Sequence, residues 1–321
     1  MLTIFVFDEK ESRREEDLPD GLKDLDDKAM LWVALRDPTE EELAAVQEAF
    51  QLSDQQAQRL LEPPSEPSLA DAGEHMHVTL YAATSEDGKP VLRPVECVLG
   101  RNWVVTCHEA EIEVLEEFRE RAEGGGQVGA LDSPSFIAAA VEWVVTSYFR
   151  AFEEIEGELE ELDAEVMSDV PKNVSDNLVR LLELRRSIGS LRRALFPHRE
   201  VIVALAHPEL DLLSTEASAQ RFEAIERRVA QAMDAAREAK ESTRGSFDLL
   251  VARLGQRTND IMKVFTLVTV ILLPATVLAG VMGMNFRVGL FDWAWMFWAV
   301  IAAMVGIALF VLSVARSQRW I

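Results

Sequence analysis

Two uninterrupted apolar runs lie near the end of this chain, residues 264–282 and 293–314, and neither contains Asp, Glu, Lys, Arg or His. Each is close to the ~20 residues that a helix needs to cross ~30 Å of hydrocarbon. A helix satisfies its own backbone groups in lipid, so two such runs joined by a short connection predict a transmembrane hairpin. The connection opens with Gly283-Met284-Asn285. It lies at the far end of the hairpin, and everything before residue 261 reads as a large water-facing body.

Charge separates the two parts. The chain carries a formal charge of −23. From Ile261 onward there are four positive side chains (Lys263, Arg287, Arg316, Arg319) and one negative (Asp292), so the preceding 260 residues hold the remaining −26. A body this acidic repels nucleic acid and anionic lipid and attracts cations. The same carboxylates also keep a soluble domain soluble. Residues 1–10 carry no basic leader and alternate like a strand, which predicts a body kept in the cytoplasm. Arg257 and Lys263 precede the first run, and Arg316 and Arg319 follow the second. Both flanks, and both termini, are therefore expected inside the cell membrane; in a bacterium that is the inner membrane. Arg287, in the outer connection, runs against this bias. Cys97 and Cys107 fall on predicted strands and are expected to be reduced, structural thiols.

Residues 1–130 read as an α/β domain. Strands are predicted at 2–7, 31–35, 75–83, 91–99 and 103–107, with Ser85-Glu86-Asp87-Gly88 as a turn between the third and fourth. Helices are predicted at 38–50, with Asp37 as N-cap, Pro38 as first residue and Glu40 as capping partner, at 54–61 and at 109–122. Residues 131–260 read as long helices. Ser133-Pro134 starts one that runs to about Ser168, a second covers 173–207 through Pro197, and a third starts near Thr215. The third meets no strong breaker before the membrane, since Gly245 and Gly255 weaken a helix by only ~1 kcal/mol each. It forms a stalk running directly into the first apolar run. Residues 261–321 are the hairpin. Residues 152–169 are rich in carboxylates around an apolar stripe of Ile155, Leu159, Leu162 and Val166. That pattern suits a solvated helix face and also a weak cation-attracting surface. His75 and His77 share one face of a strand; such a pair can bind Zn²⁺ but has no evident third ligand, and a structural role is the alternative.

Gly283-Met284-Asn285, placed between two terminal apolar spans and followed by Phe286, resembles the CorA-type magnesium and cobalt transport family. Residues 258–264, Leu272-Leu273-Pro274 and Ala279-Gly280 are similar to that family's first membrane helix. Leu184-Arg185-Arg186, Leu191-Arg192-Arg193, Pro197-His198-Arg199-Glu200 and the final Arg319-Trp320-Ile321 resemble it elsewhere. The resemblance implies a homopentameric funnel: an α+β membrane protein with a cytoplasmic α/β/α domain, a helical stalk and two C-terminal transmembrane helices, the first lining the pore. It implies influx of Mg²⁺, with Co²⁺, Ni²⁺ or Zn²⁺ as further candidate ions. It also implies gating by cytoplasmic Mg²⁺ between subunits. By its match to the family, Asp248 is the expected regulatory carboxylate, and Glu74 is its suggested partner.

The chemistry suits a hydrated ion. Mg²⁺ dehydrates reluctantly, so a filter for it needs oxygen acceptors for its water shell more than a carboxylate cage. Asn285 supplies a side-chain carbonyl, Gly283 lets the backbone turn, and Met284 is read as packing. Below this filter, Gly280, Thr276, Leu273, Thr269, Phe265 or Thr266, Met262 and Asn259 follow at helical spacing. Thr276 and Thr269 offer hydroxyls; Leu273, Phe265 and Met262 offer apolar constrictions that gate by dewetting. A helix seam packed on its neighbours explains the same spacing. The spans hold no ionisable group, which disfavours a proton-relay pump. No phosphate loop, nucleophile elbow or paired-carboxylate motif is present, so an enzyme is not expected. The outer connection departs from the family, because Arg287 stands where an acid is usual. Two rival readings remain, a ZntB-like zinc transporter and a non-conducting, membrane-anchored metal sensor or scaffold. Met284 favours magnesium over zinc within the resemblance.

Overall fold

The computed structural model describes residues 1–7, 12–15, 18, 29–71, 73, 75–109, 112–123, 132–168, 174–206, 216–284 and 294–318. These divide into two compact units, Met1–Phe247 and Asp248–Ile321. A mixed sheet organises the first. Its strands are β1 (Leu2–Phe7), β2 (Ser12–Glu15), β3 (Met30–Arg36), β4 (Ser68–Asp71), β5 (Met76–Glu86), β6 (Lys89–Leu99) and β7 (Trp103–His108). Their order is β2-β1-β3-β7-β6-β5-β4. Only β3 and β7 run parallel; the other neighbours are antiparallel. All five expected strands are present, and β2 and β4 are additional edge strands.

Alternation along β1 and β3 divides the side chains between two faces. Ile4, Val6, Leu31, Val33 and Leu35 join Val98, Val105 and Cys107 under Val46, Phe50, Leu52 and Leu60. The last four come from α1 (Glu40–Phe50), α2 (Asp54–Leu61) and the short link between them. Phe5, Phe7 and Trp32 point the other way. The Trp32 ring meets Phe136 at 5.2 Å, and its Nε1 donates to Thr106 Oγ1 at 2.9 Å. Phe136 belongs to α4 (Ser133–Met167), which covers that face with α3 (Glu113–Glu123). The result is the expected α/β/α sandwich.

The start of α1 differs from expectation. Its N-cap is Thr39 and its capping partner is Glu42. Asp37 instead adopts a left-handed φ of 45° and donates its N–H to the His108 carbonyl at the end of the β3–β7 ladder. Asp37-Pro38 and Thr39-x-x-Glu42 are both credible caps by residue type, and the sheet decides between them. α3 starts at Glu113, four residues later than expected; the glycines expected to end it lie outside the described residues.

Two buried polar groups tie layers together. Glu96 is fully buried and accepts from Arg59 Nε at 2.8 Å and Thr79 Oγ1 at 2.6 Å, with His77 Nδ1 at 3.0 Å. That network docks α2 on the sheet. It also gives His77 a structural partner, while the His75 ring rests on Trp103 at 5.1 Å. Among the described residues no group of three His, Cys, Asp or Glu side chains is arranged to hold a metal. The second group seals an edge. β4 pairs with β5 only as far as Thr79. Beyond it, the amides of Tyr81 and Ala83 donate to His198 Nε2 at 3.0 Å and Ser147 Oγ at 2.9 Å. An exposed strand edge is thereby capped by helix side chains.

Three long helices follow one packing rule. α5 (Val174–Ala206) buries Asn177, Leu181, Leu184, Ile188, Leu191, Leu195, His198, Ile202 and Leu205, and it continues through Pro197. α6 (Glu216–Met282) buries Phe222, Ile225, Val229, Ala232, Ala236, Ala239, Thr243 and Ser246. Steps of three and four alternate in both, which is the seam of a coiled coil. In α4 the expected stripe of Ile155, Leu159, Leu162 and Val166 is buried, and Glu153, Glu154, Glu156, Glu160 and Glu161 are exposed around it.

Candidate ion pathway

The second unit holds the remainder of α6 and α7 (Ala294–Ser317). Both helices are long and apolar enough to cross a membrane, and their most apolar windows have no buried residues. α6 does not break between the soluble body and its end at Met282; it also continues through Pro274, which lacks the N–H for a bond to the Val270 carbonyl.

Partial burial identifies the face that α6 turns toward α7. Lys263, Leu267, Ile271, Pro274, Ala275, Leu278 and Met282 are half-buried, whereas their neighbours are exposed. On α7 the matching row is Met296, Val300, Met304, Ile307, Val311 and the buried Ala315. Small residues along such a row allow close approach of helices in lipid. A groove at one end of this pair is lined by Thr266, Leu267, Val270, Phe310, Val311 and Val314.

The residues expected to line a pathway occupy the other side. Thr269 follows Leu267 by two positions, Leu273 follows Ile271 by two, and Thr276 precedes Leu278 by two. Each two-residue step carries an α-helix about 200° round. Asn259, Met262, Phe265, Thr269, Leu273, Thr276 and Gly280 are all exposed, with Met262 at 57%, Phe265 at 65% and Leu273 at 60%. Phe265 and Thr266 are now distinguished: Thr266 borders the α7 groove and Phe265 stands clear of it. Asp248 is also exposed and forms no ion pair among the described residues. It precedes Asn259 by eleven positions, within about 20° of the same line.

The threonines share one local geometry. Thr266 Oγ1 donates to the Met262 carbonyl at 2.7 Å, Thr269 to Phe265 at 2.8 Å and Thr276 to Leu272 at 2.8 Å. Thr258 does the same to Leu254 at 2.9 Å. Each hydroxyl proton is committed to the helix, so the oxygen presents its lone pairs outward as an acceptor. Thr258 is not among the expected pathway residues, but an eleven-residue interval aligns it with Thr269 and Gly280.

At the end of α6, the Gly283 amide donates to Ala279 O at 2.9 Å and the Met284 amide to Val281 O at 3.3 Å. The last turn tightens from an i−4 to an i−3 bond, as helix ends commonly do. Gly283 is not in the left-handed region, where the described glycines are Gly73 and Gly88. A Cβ there would meet the Ala279 carbonyl oxygen at 3.3 Å, a tight contact that a shift of a few tenths of an ångström relieves. Met284 is half exposed, at 50%. Asn285, Arg287 and Glu74 lie outside the described residues.

Residues 27–316 match the family model described as CorA-like Mg²⁺ transporter protein. The chain is 26% identical over 229 residues to a cobalt/magnesium transport protein CorA of Thermotoga maritima, a match spanning 71% of this chain and 64% of that protein. It is 23% identical over 304 residues to the CorA of Methanocaldococcus jannaschii, spanning 92% and 93%. Among solved structures, the complete CorA magnesium transporter from Methanocaldococcus jannaschii superposes with a TM-score of 0.82 at 21% identity, covering 99% of this chain and 98% of that one. The cytoplasmic domain of ZntB from Vibrio parahaemolyticus matches with a TM-score of 0.64 at 13% identity, over 79% and 99%.

Proposed function

The chain belongs to the CorA-like Mg²⁺ transporter family, and from that premise we propose that it is a homopentameric channel for hydrated divalent cations, with Mg²⁺ as its main substrate. The observation that carries this reading is the face of α6 opposite α7. It bears outward-facing hydroxyl oxygens and apolar side chains, and the segment from Val264 to Met282 has no ionisable group. Around a five-fold axis, Thr276 and Thr269 form acceptor rings for the ion's water shell, and Asn285 forms the outermost one with Gly283 and Met284 beside it. Such rings bind the ion without stripping its waters, which suits Mg²⁺. Leu273 lies between the two threonine rings, and Phe265 and Met262 lie between Thr269 and Asn259 at the inner end; these three close the pore by dewetting, and Gly280 lies between Thr276 and the outermost ring.

Influx is downhill. A membrane potential supplies ~2.3 kcal/mol per charge per 100 mV, so a divalent ion needs no proton relay. Asp248 is the cytoplasmic regulatory ligand, with Glu74 as its partner from a neighbouring subunit, and bound Mg²⁺ holds the closed state. Both termini lie on the cytoplasmic side of the inner membrane. Co²⁺ and Ni²⁺ are secondary substrates of the same route.

Flux into proteoliposomes tests the proposal. We expect Mg²⁺ uptake that is blocked by hexaammine cobalt, which mimics the hydrated ion, and abolished by Asn285→Ala in an intact assembly. Zn²⁺ uptake that needs a proton gradient would instead support the zinc-transporting alternative, and no flux of any ion would support a non-conducting sensor. Normal flux in Asn285→Ala overturns the filter assignment.

A further inference from the structure

We propose that the α4–α5 hairpin of one subunit docks on that of the next, with the arginine face of α5 seated on the carboxylate face of α4. This rests on the oligomeric reading above and adds a second contact to it, in the soluble body. The observation is an unusual division of charge. α4 carries nine carboxylates and one arginine, whereas α5 carries six arginines and three carboxylates in a protein whose net charge is strongly negative. Arg180 pairs with Glu165 at 3.4 Å and Arg199 with Glu226 at 3.7 Å. Arg185, Arg186, Arg192 and Arg193 are exposed and have no partner among the described residues. Leu182 and Phe196, on the same side of α5, are 43% and 55% exposed. Glu153, Glu160 and Glu161 on α4 are likewise exposed; Glu153 lies in the field of Arg150 on its own helix, and Glu160 and Glu161 form no ion pair among the described residues.

A basic, partly apolar face and an acidic face on the two arms of one hairpin are complementary between copies. Such a contact is head-to-tail, the kind that builds a ring when the rotation between copies closes. Arginine suits it, because its planar fork takes carboxylates bidentately while its stem and Phe196 cover apolar surface. The Arg180–Glu165 pair fixes the antiparallel offset. On the same antiparallel offset, five and twelve residues along each helix, Arg185 falls level with Glu160 and Arg192 level with Glu153. If neighbouring hairpins stand side by side, those levels coincide between copies as well.

Cross-linking between distinguishable copies tests this, and Cys97 and Cys107 do not interfere because both are buried. Two differently tagged full-length chains, one with Arg192→Cys and the other with Glu153→Cys, are co-expressed in membranes and oxidised. We expect a disulfide-linked heterodimer, approaching half of the chains, which is the ceiling for random co-assembly. We also expect a several-fold fall when 1 M salt, which shrinks the screening length to about 3 Å, is present during oxidation. Both positions are exposed, so folding is preserved. As a second measurement, Arg185→Glu with Arg192→Glu should at least halve the intact oligomer on native gels, and Glu153→Arg with Glu160→Arg in the same chain should restore it. An oligomer that conducts Mg²⁺ but gives no heterodimer, or is unchanged by charge reversal, overturns the docking alone. A monomer without flux overturns the channel as well.

Discussion

Thr276 Oγ1 donates its proton to the Leu272 carbonyl at 2.8 Å, so the hydroxyl faces outward as an acceptor only. Waters bound to a divalent cation are strong donors. On the proposed function, the side chain would meet the shell of the ion and not the ion itself. Thr276→Ser keeps this geometry and is expected to conduct within two-fold of the unaltered protein. Thr276→Val keeps the shape and removes the acceptor, and single-channel or vesicle flux should fall about ten-fold, the equivalent of ~1.4 kcal/mol in the barrier. Equal flux in the two variants would exclude a role for the hydroxyl.

Asp248 is exposed and has no ion-pair partner among the described residues. Such a carboxylate is available to a regulatory cation. Asp248→Ala is expected to leave conduction intact and to shift inhibition by internal Mg²⁺ to several-fold higher concentration. The check is flux against internal Mg²⁺; an unshifted curve removes Asp248 from gating.

His198 pins α5 to the sheet as a neutral ring. Nδ1 donates to the Ala194 carbonyl at 2.7 Å, and Nε2 accepts from Tyr81 N–H. Burial, only partly opposed by the Ala194 bond, lowers its pKa to about 4 from 6.5. Above pH 6.5 the ring is neutral both folded and unfolded. As pH falls further, the unfolded chain takes up the proton first and stability declines, levelling near pH 4. The loss amounts to about 3 kcal/mol for the 2.5-unit difference. Denaturation of the full chain across this window should show the slope. His198→Gln retains an acceptor and should flatten it.

Arg59 supports a carboxylate that water does not reach. Glu96 is 0% exposed. Arg59→Ala leaves that charge without its cation and is expected to cost ~3 kcal/mol, typical of breaking a buried pair. Arg59→Met with Glu96→Leu should recover most of it, because both partners then leave together. Thermal unfolding of the two variants makes the comparison.

The membrane hairpin and the helical stalk were legible because their signals are long. An uncharged run of nearly twenty residues has few other structural uses, and the start of α4 follows Ser133-Pro134 with Asp132 as its cap. The short edge strands were not legible. Ser12–Glu15 is polar, Ser68–Asp71 holds only Leu69 and Ala70 between polar ends, both are too brief to show alternation, and they exist because β1 and β5 offer them unpaired backbone. The Glu96 network was hidden because Arg59, His77, Thr79 and Glu96 are scattered along the chain and meet only through strand register. The heptad seam of α6 was in the sequence from Phe222 onward, but alanine fills its middle and breaks the contrast between apolar and polar positions. On α6, spacing alone placed Thr269, Leu273 and Thr276 on one face; only the burial pattern showed that α7 takes the opposite one.

That alanine stretch has a mechanical consequence. Bulky knobs lock two helices in axial register, because each must leave its hole before it can move. Ala232, Ala236 and Ala239 are fully buried and offer no knobs, whereas Phe222, Ile225 and Val229 before them do. The middle of α6 therefore behaves as a smooth bearing beside an anchored end. Axial register is then set at the Phe222 end alone, and resistance to rotation about the helix axis is weakest where the alanines pack.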